Sequence, residues 1–179
     1  VDEAGAEKIR ELGGAAVIVA SHPHMFGAQV GWSRMLGDAP VLVAEADRSW
    51  LQRPDRVIRL WSGEEELLPG VTLRAVGGHF PGSAVVHWDA GAEGRGAVLS
   101  SDTIFPTPNG EWVTFLRSYP NRIPLSAAVA SRVAEAVTER PFERLYGNFG
   151  VVDSDARAIV QRSAARYAAW AGGANDHLT

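Results

Sequence analysis

The 179-residue chain contains no cysteine. That excludes disulfides, thiolate metal ligands and a cysteine nucleophile. It also fits a reducing compartment, so a cytoplasmic protein is expected. Long apolar runs are missing too, since none reaches the roughly 18 residues that a membrane span requires. Charge of one sign is nowhere concentrated: the 17 basic residues are scattered and the formal net charge is −4. Neither nucleic acid nor an anionic membrane surface is therefore expected as a partner. There is no internal repeat, no low-complexity linker and no GxGxxG spacing for a dinucleotide. The first residues, Val1-Asp2-Glu3-Ala4-Gly5, are acidic and do not read as a signal peptide. Methionine is not the first residue, which is compatible with chain ahead of Val1.

What is present is an ordinary globular composition, 46% hydrophobic and 21% charged, enough for one core. We expect a single domain over 1–171 and a loose tail over 172–179. Asp2–Leu12 reads as a short amphipathic helix stopped by Gly13 and Gly14. Ala15–Ala20 is a continuous apolar run, the pattern of a central strand buried on both faces. Helices are expected over Ala28–Leu36, Glu45–Leu51 and Pro124–Arg140, and over Asp153–Trp170, capped by Asp153 or Ser154. Strands are expected at Val41–Ala44, Val57–Trp61, Leu67–Leu68, Val71–Val76, Ala84–Trp88, Ala97–Ser100 and Arg144–Tyr146. Glu64-Glu65-Glu66 reads as a solvated turn, and Trp50, Trp61 and Trp88 as core. Helix and strand at both ends with a block of strands between them suggests an α+β class, an αββα sandwich.

The chemistry lies in three of five histidines. His22 and His24 alternate within Ser21-His22-Pro23-His24, directly after the first strand. Pro23 drives His22 to an extended conformation, and that spacing turns both imidazoles to one side. His79 sits in Gly77-Gly78-His79-Phe80-Pro81-Gly82-Ser83, and Asp102 in Ser100-Ser101-Asp102-Thr103, each just past a strand. If those strands are neighbours, three imidazoles and a carboxylate meet. Such a set suits one divalent metal, zinc first, with iron or manganese as alternatives. Each residue also has a plainer reading: a loop histidine bonded to a carbonyl, or an aspartate capping a turn. His87, inside a strand, reads as a sheet-face residue, and His177 as part of the tail.

At these residues the sequence resembles the metallo-β-lactamase superfamily, which includes hydroxyacylglutathione hydrolases. His22 and His24 fit the first two histidines of its HxHxDH signature. Gly78-His79-Phe80-Pro81-Gly82-Ser83 closely resembles its GH-x-PGS loop. Ser101-Asp102-Thr103-Ile104-Phe105 resembles its GD-x-x-F segment, with Asp102 as the bridging aspartate. The resemblance runs from about Ala15 to Gly150. It implies a metal-dependent hydrolase in which His22, His24, His79 and Asp102 are metal ligands.

The departures are as informative. The aspartate and next histidine of HxHxDH fall on Phe26 and Gly27, and the last histidine falls on Phe149. All three belong to a second metal, and a cation cannot shed water against an apolar wall, so one metal is expected. The missing aspartate is also the usual partner of the attacking water, which leaves Asp102 as the candidate catalytic base. Family members also begin with several strands before the HxH loop. Only about twenty residues precede it here, so missing N-terminal strands, or pairing between copies along an open edge, are expected. Phe26, Trp112 and Phe149 are candidates to line an apolar pocket over the metal. Arg117 and Tyr119, in a loop that often carries substrate contacts in this fold, are candidates for an anionic or carbonyl group. The reading that follows is a mononuclear hydrolase of a small ester, lactone or thioester. The alternative is a member that keeps metal or ligand binding without catalysis.

Overall fold

The computed structural model describes residues 1–179. Helix α1 (Glu3–Glu11) is capped by Asp2, whose carboxylate accepts the Gly5 N–H at 2.8 Å. Strands β1 (Ile18–Ala20), β2 (Val41–Ala44) and β3 (Ile58–Trp61) form a parallel three-stranded sheet in that order, with α2 (Gln29–Met35) between β1 and β2. A second, six-stranded sheet has the order β11-β10-β7-β6-β5-β4. It is built from β4 (Glu64–Leu68), β5 (Val71–Ala75), β6 (Ala84–Trp88), β7 (Ala97–Ser101), β10 (Arg144–Gly147) and β11 (Val151–Val152). Between β6 and β7 lies one left-handed turn, α3 (Gly91–Gly94). A small hairpin of β8 (Phe105–Pro106) and β9 (Val113–Thr114) follows β7. Helices α4 (Ala127–Thr138) and α5 (Ala156–Ala171) complete the chain, followed by a 3₁₀ turn over Asp176–Leu178.

Alternation along the strands sorts the apolar side chains into layers. On β2, Val41 and Val43 join Ala20 and Val57 beneath α2, while Leu42 and Ala44 face the other sheet and meet Trp61, Leu73 and Ala84. The far face of the six-stranded sheet carries Val85, Val98 and Leu145 against Val133 and Val137 of α4 and Ile159 and Val160 of α5. Two sheets are thus packed face to face with helices outside each, the expected αββα sandwich.

Several local expectations need correction. The first strand is only three residues long and lies at the edge of its sheet, not at its centre. Its alternate residues still enter two different clusters, which is what the apolar run reflected. Residues 45–50 form a 3₁₀ helix, not an α-helix. Glu64–Glu66 lie in β4 because their charges find arginines: Glu65 pairs with Arg59, and Glu64 with Arg140 at 2.6 Å. Helix α5 begins at Ala156 behind Asp155, in the left-handed region at φ 53°, and no side chain of Asp153 or Ser154 caps it. Trp61 is core, but Trp50 and Trp88 are half-exposed, at 53% and 45%.

Candidate metal centre

Each of the four chemical side chains is delivered by a strand end. His22 follows β1 with the extended backbone that Pro23 imposes (φ −169°, ψ 168°). The chain then tightens into a 3₁₀ turn over Pro23–Met25 instead of staying extended, and the turn brings His24 round beside His22. Their rings stand 5.0 Å apart, edge to face.

His79 lies in the β5–β6 connection, where Gly77 and Gly78 take φ values of 69° and 94° that favour glycine. The Ser83 hydroxyl accepts the Phe80 N–H at 2.8 Å, and the buried Asp47 carboxylate accepts the Gly82 N–H at 2.9 Å. A Cβ on Gly82 would stand 2.5 Å from Ala44 Cβ and 2.7 Å from Asp47 Oδ2, so the PGS turn fits only with glycine there. Burial pushes the Asp47 carboxyl up, against the Gly82 bond that lowers it. Asp102 follows β7, which pairs with β6 and β10, and the loops after β5 and β7 therefore open at the same sheet end.

One donor atom from each of His22, His24, His79 and Asp102 lies within 4.8 Å of all the others. Asp102 Oδ2 is 3.4 Å from His22 Nε2 and 4.0 Å from both His24 Nδ1 and His79 Nε2. His79 Nε2 and His24 Nδ1 are 3.4 Å apart. On its other side, His79 Nδ1 donates to the Leu116 carbonyl at 2.9 Å, which leaves its Nε2 lone pair facing the cluster. Burial, then the neighbouring His22, hold the His24 imidazole below its ordinary pKa. Burial does the same to His79, opposed by the Leu116 bond. For Asp102, burial pushes upward, but contacts from His22 and Asn148 outweigh it and keep the carboxyl below the usual range. His24 and His79 are thus favoured neutral and Asp102 ionised, the protonation states a cation needs.

The remaining sequence candidates divide. Tyr119 and Phe149 come together with Phe105 as three near-parallel rings. Their centroids are 5.2 Å apart for Tyr119–Phe149 and 6.3 Å for Phe105–Phe149, and Phe105 lies 6.0 Å from the His79 ring. Arg117 donates to the His79 carbonyl at 2.9 Å and lies over the Phe80 ring. Phe26 packs partly against the Ala20–Val41 cluster and lines a groove of about 660 Å³ beside the HPH loop. Trp112 is elsewhere, beneath Arg162 and Arg166 of α5. The ring that meets all three imidazoles is Phe80, stacked on His22 at 5.8 Å and edge-on to His24 and His79, with Trp50 edge-on to it. Its place next to His79 in the GGHFPGS loop was a usable signal. Asn148, which donates to Asp102 Oδ1 at 2.7 Å, offered none.

His22 Nε2 tests whether the residues fit a cation. It is buried and has no hydrogen-bond partner, since the 3.4 Å approach to Asp102 is long and misaligned. A buried polar nitrogen without a partner is costly, and a cation among the four donors supplies one. The donor set fits.

No family model matches the chain. It is 43% identical over 169 residues to the uncharacterized protein YmaE of Bacillus subtilis (strain 168), covering 93% of this chain and 61% of that protein. The chain therefore spans about three fifths of that relative's length. Among solved structures it resembles the DIM-1 metallo-β-lactamase (TM-score 0.66, 15% identity, 92% of this chain and 76% of that one). It also resembles TTHA1623 in a di-iron-bound form (TM-score 0.60, 21% identity, 87% and 81%). A third likeness is to an N-acyl homoserine lactone hydrolase with its product bound at the catalytic metal centre (TM-score 0.51, 16% identity, 82% and 61%).

Proposed function

Because the chain has the metallo-β-lactamase fold, we propose that it is a metal-dependent hydrolase with one divalent cation, zinc by preference, held by His22, His24, His79 and Asp102. The observation that carries this reading is the buried, unpartnered His22 Nε2 facing three other donors. A bound divalent cation supplies Lewis acidity, polarising a carbonyl and making water more acidic.

The chain's own residues supply the rest. Asp102 is the one carboxylate in the donor cluster and stays ionised at neutral pH, so it is the group able to accept a proton there. Arg117 fixes the His79 backbone and presents an exposed guanidinium for a carbonyl or carboxylate. Tyr119 and Phe149, 39% and 63% exposed, offer ring faces to the apolar part of a substrate. Phe26, on the groove beside the HPH loop, offers a second apolar face for the substrate. A small ester, lactone or thioester with an apolar acyl group suits these features, and the lactone hydrolase of the same fold supports an ester-type bond.

The test is metal analysis of purified protein, followed by hydrolysis of generic esters, lactones and thioesters with and without chelator. Bound metal and chelator-sensitive hydrolysis are expected. No metal and no chelator effect would overturn the reading. Phe26, Gly27 and Phe149 at the second-site positions favour one alternative, a module that binds metal or ligand without catalysis. Metal uptake with no hydrolysis of any of these substrates would select it.

A further inference from the structure

Asp102 has two carboxylate oxygens, and the fold uses them differently. Oδ2 faces the three imidazoles. Oδ1 instead accepts a hydrogen bond from Asn148 Nδ2 at 2.7 Å. Only the amide NH₂ can donate to a carboxylate, so the orientation of Asn148 follows from the contact. The same NH₂ donates to Ser101 Oγ at 3.1 Å. Ser101 Oγ also accepts from Ser21 Oγ at 2.8 Å and lies 3.4 Å from His22 Nδ1. One chain of polar contacts thus links Asn148, Asp102, Ser101 and His22.

The backbone puts Asn148 there. Strand β10 runs parallel to β7, and a register shift after Tyr146 sets Gly147 opposite Ser101. Gly147 lies close against Pro106, where an added Cβ would stand 2.7 Å from the ring, so the chain passes tightly over the Asp102 loop. Asn148 is exposed while Asp102 is buried, and the amide covers the outer oxygen of the carboxylate.

A second cation bridged to the first through Asp102 would have to take Oδ1. The positions where the resembled family keeps its other second-metal ligands hold Phe26, Gly27 and Phe149, none of which has a donor atom in its side chain. We propose that Asn148 is a positioning residue whose amide stands where a second cation would bind, keeping Asp102 Oδ2 turned to the imidazoles and the site limited to one ion. This rests on the single-metal reading above. It goes beyond that reading by naming the group that enforces the limit.

The test uses the whole chain, stripped with chelator and titrated with Zn²⁺ and Co²⁺ against a chromophoric competitor, with elemental analysis of the reloaded protein. Wild type should take one ion per chain. Asn148→Ala should bind that ion about 10- to 100-fold more weakly, the usual cost of losing a group that orients a ligand, and change the Co²⁺ visible spectrum. Asn148→Asp replaces the donor with a second carboxylate and should admit a second equivalent. The apo melting temperatures separate these effects from misfolding, and the exposed position predicts little change in Asn148→Ala. Wild-type affinity with an unaltered Co²⁺ spectrum in Asn148→Ala would overturn the proposal while leaving the metal centre standing. So would two ions in wild type. No ion bound to wild type would overturn the metal reading and this inference together.

Discussion

His87 offers a clean test of the packing. It is 2% exposed on β6, its ring lies 6.1 Å from that of Phe142, and its Nε2 has no hydrogen-bond partner. Burial, then the cations of Arg140 and Arg74, bring its pKa down to about 4. The folded protein therefore holds His87 neutral, while the unfolded chain takes up a proton near pH 6.5. A depressed folded-state pKa means that stability is full above about pH 6.5 and is lost as pH falls towards 4. Across that window the loss is at most about 3 kcal/mol, with about 2 kcal/mol of it reached by pH 5. The assay is urea unfolding of apo wild type and His87→Gln at pH 7.5 and pH 5. The other ionisable groups are common to both proteins and cancel in the comparison. Wild type should lose about 2 kcal/mol more than His87→Gln between the two pH values. Equal losses would refute the buried neutral assignment, whatever the absolute stabilities.

Other perturbations test separate links. Phe115 is fully buried in the core beneath α4 and α5, so Phe115→Ala should destabilise by about 3–5 kcal/mol in the same unfolding assay. Gly82→Ala forces a methyl against Ala44 and Asp47 and should cost about 1–3 kcal/mol, with a loss of metal affinity because the turn carries His79. Arg117→Ala removes the donor that holds the His79 carbonyl. It should weaken zinc binding about 10-fold in competition titrations while leaving the apo melting temperature nearly unchanged.

The donor set was legible in the sequence because its signals are local. His22-Pro23-His24 and Gly78-His79 carry their own backbone instructions, proline for extension and glycine for positive φ. The layer order was legible for the same reason, since each strand's apolar pattern says how many faces it buries. What could not be read depends on contacts between distant segments. Arg117 looks like a surface cation until the fold sets it against the His79 carbonyl, and Asn148 looks like a turn residue until β10 is registered on β7. Glu64–Glu66 read as a turn because their arginine partners, Arg59 and Arg140, lie on other elements. The first strand read as central because covered faces leave the same apolar run whether or not both edges are paired.

The most direct measurement is anomalous scattering at metal absorption edges from crystals of the zinc-loaded protein. A single zinc peak enclosed by His22, His24, His79 and Asp102, with Asn148 still on the outer carboxylate oxygen, is the expected result. Two peaks, or none among these four side chains in protein exposed to excess zinc, would contradict it.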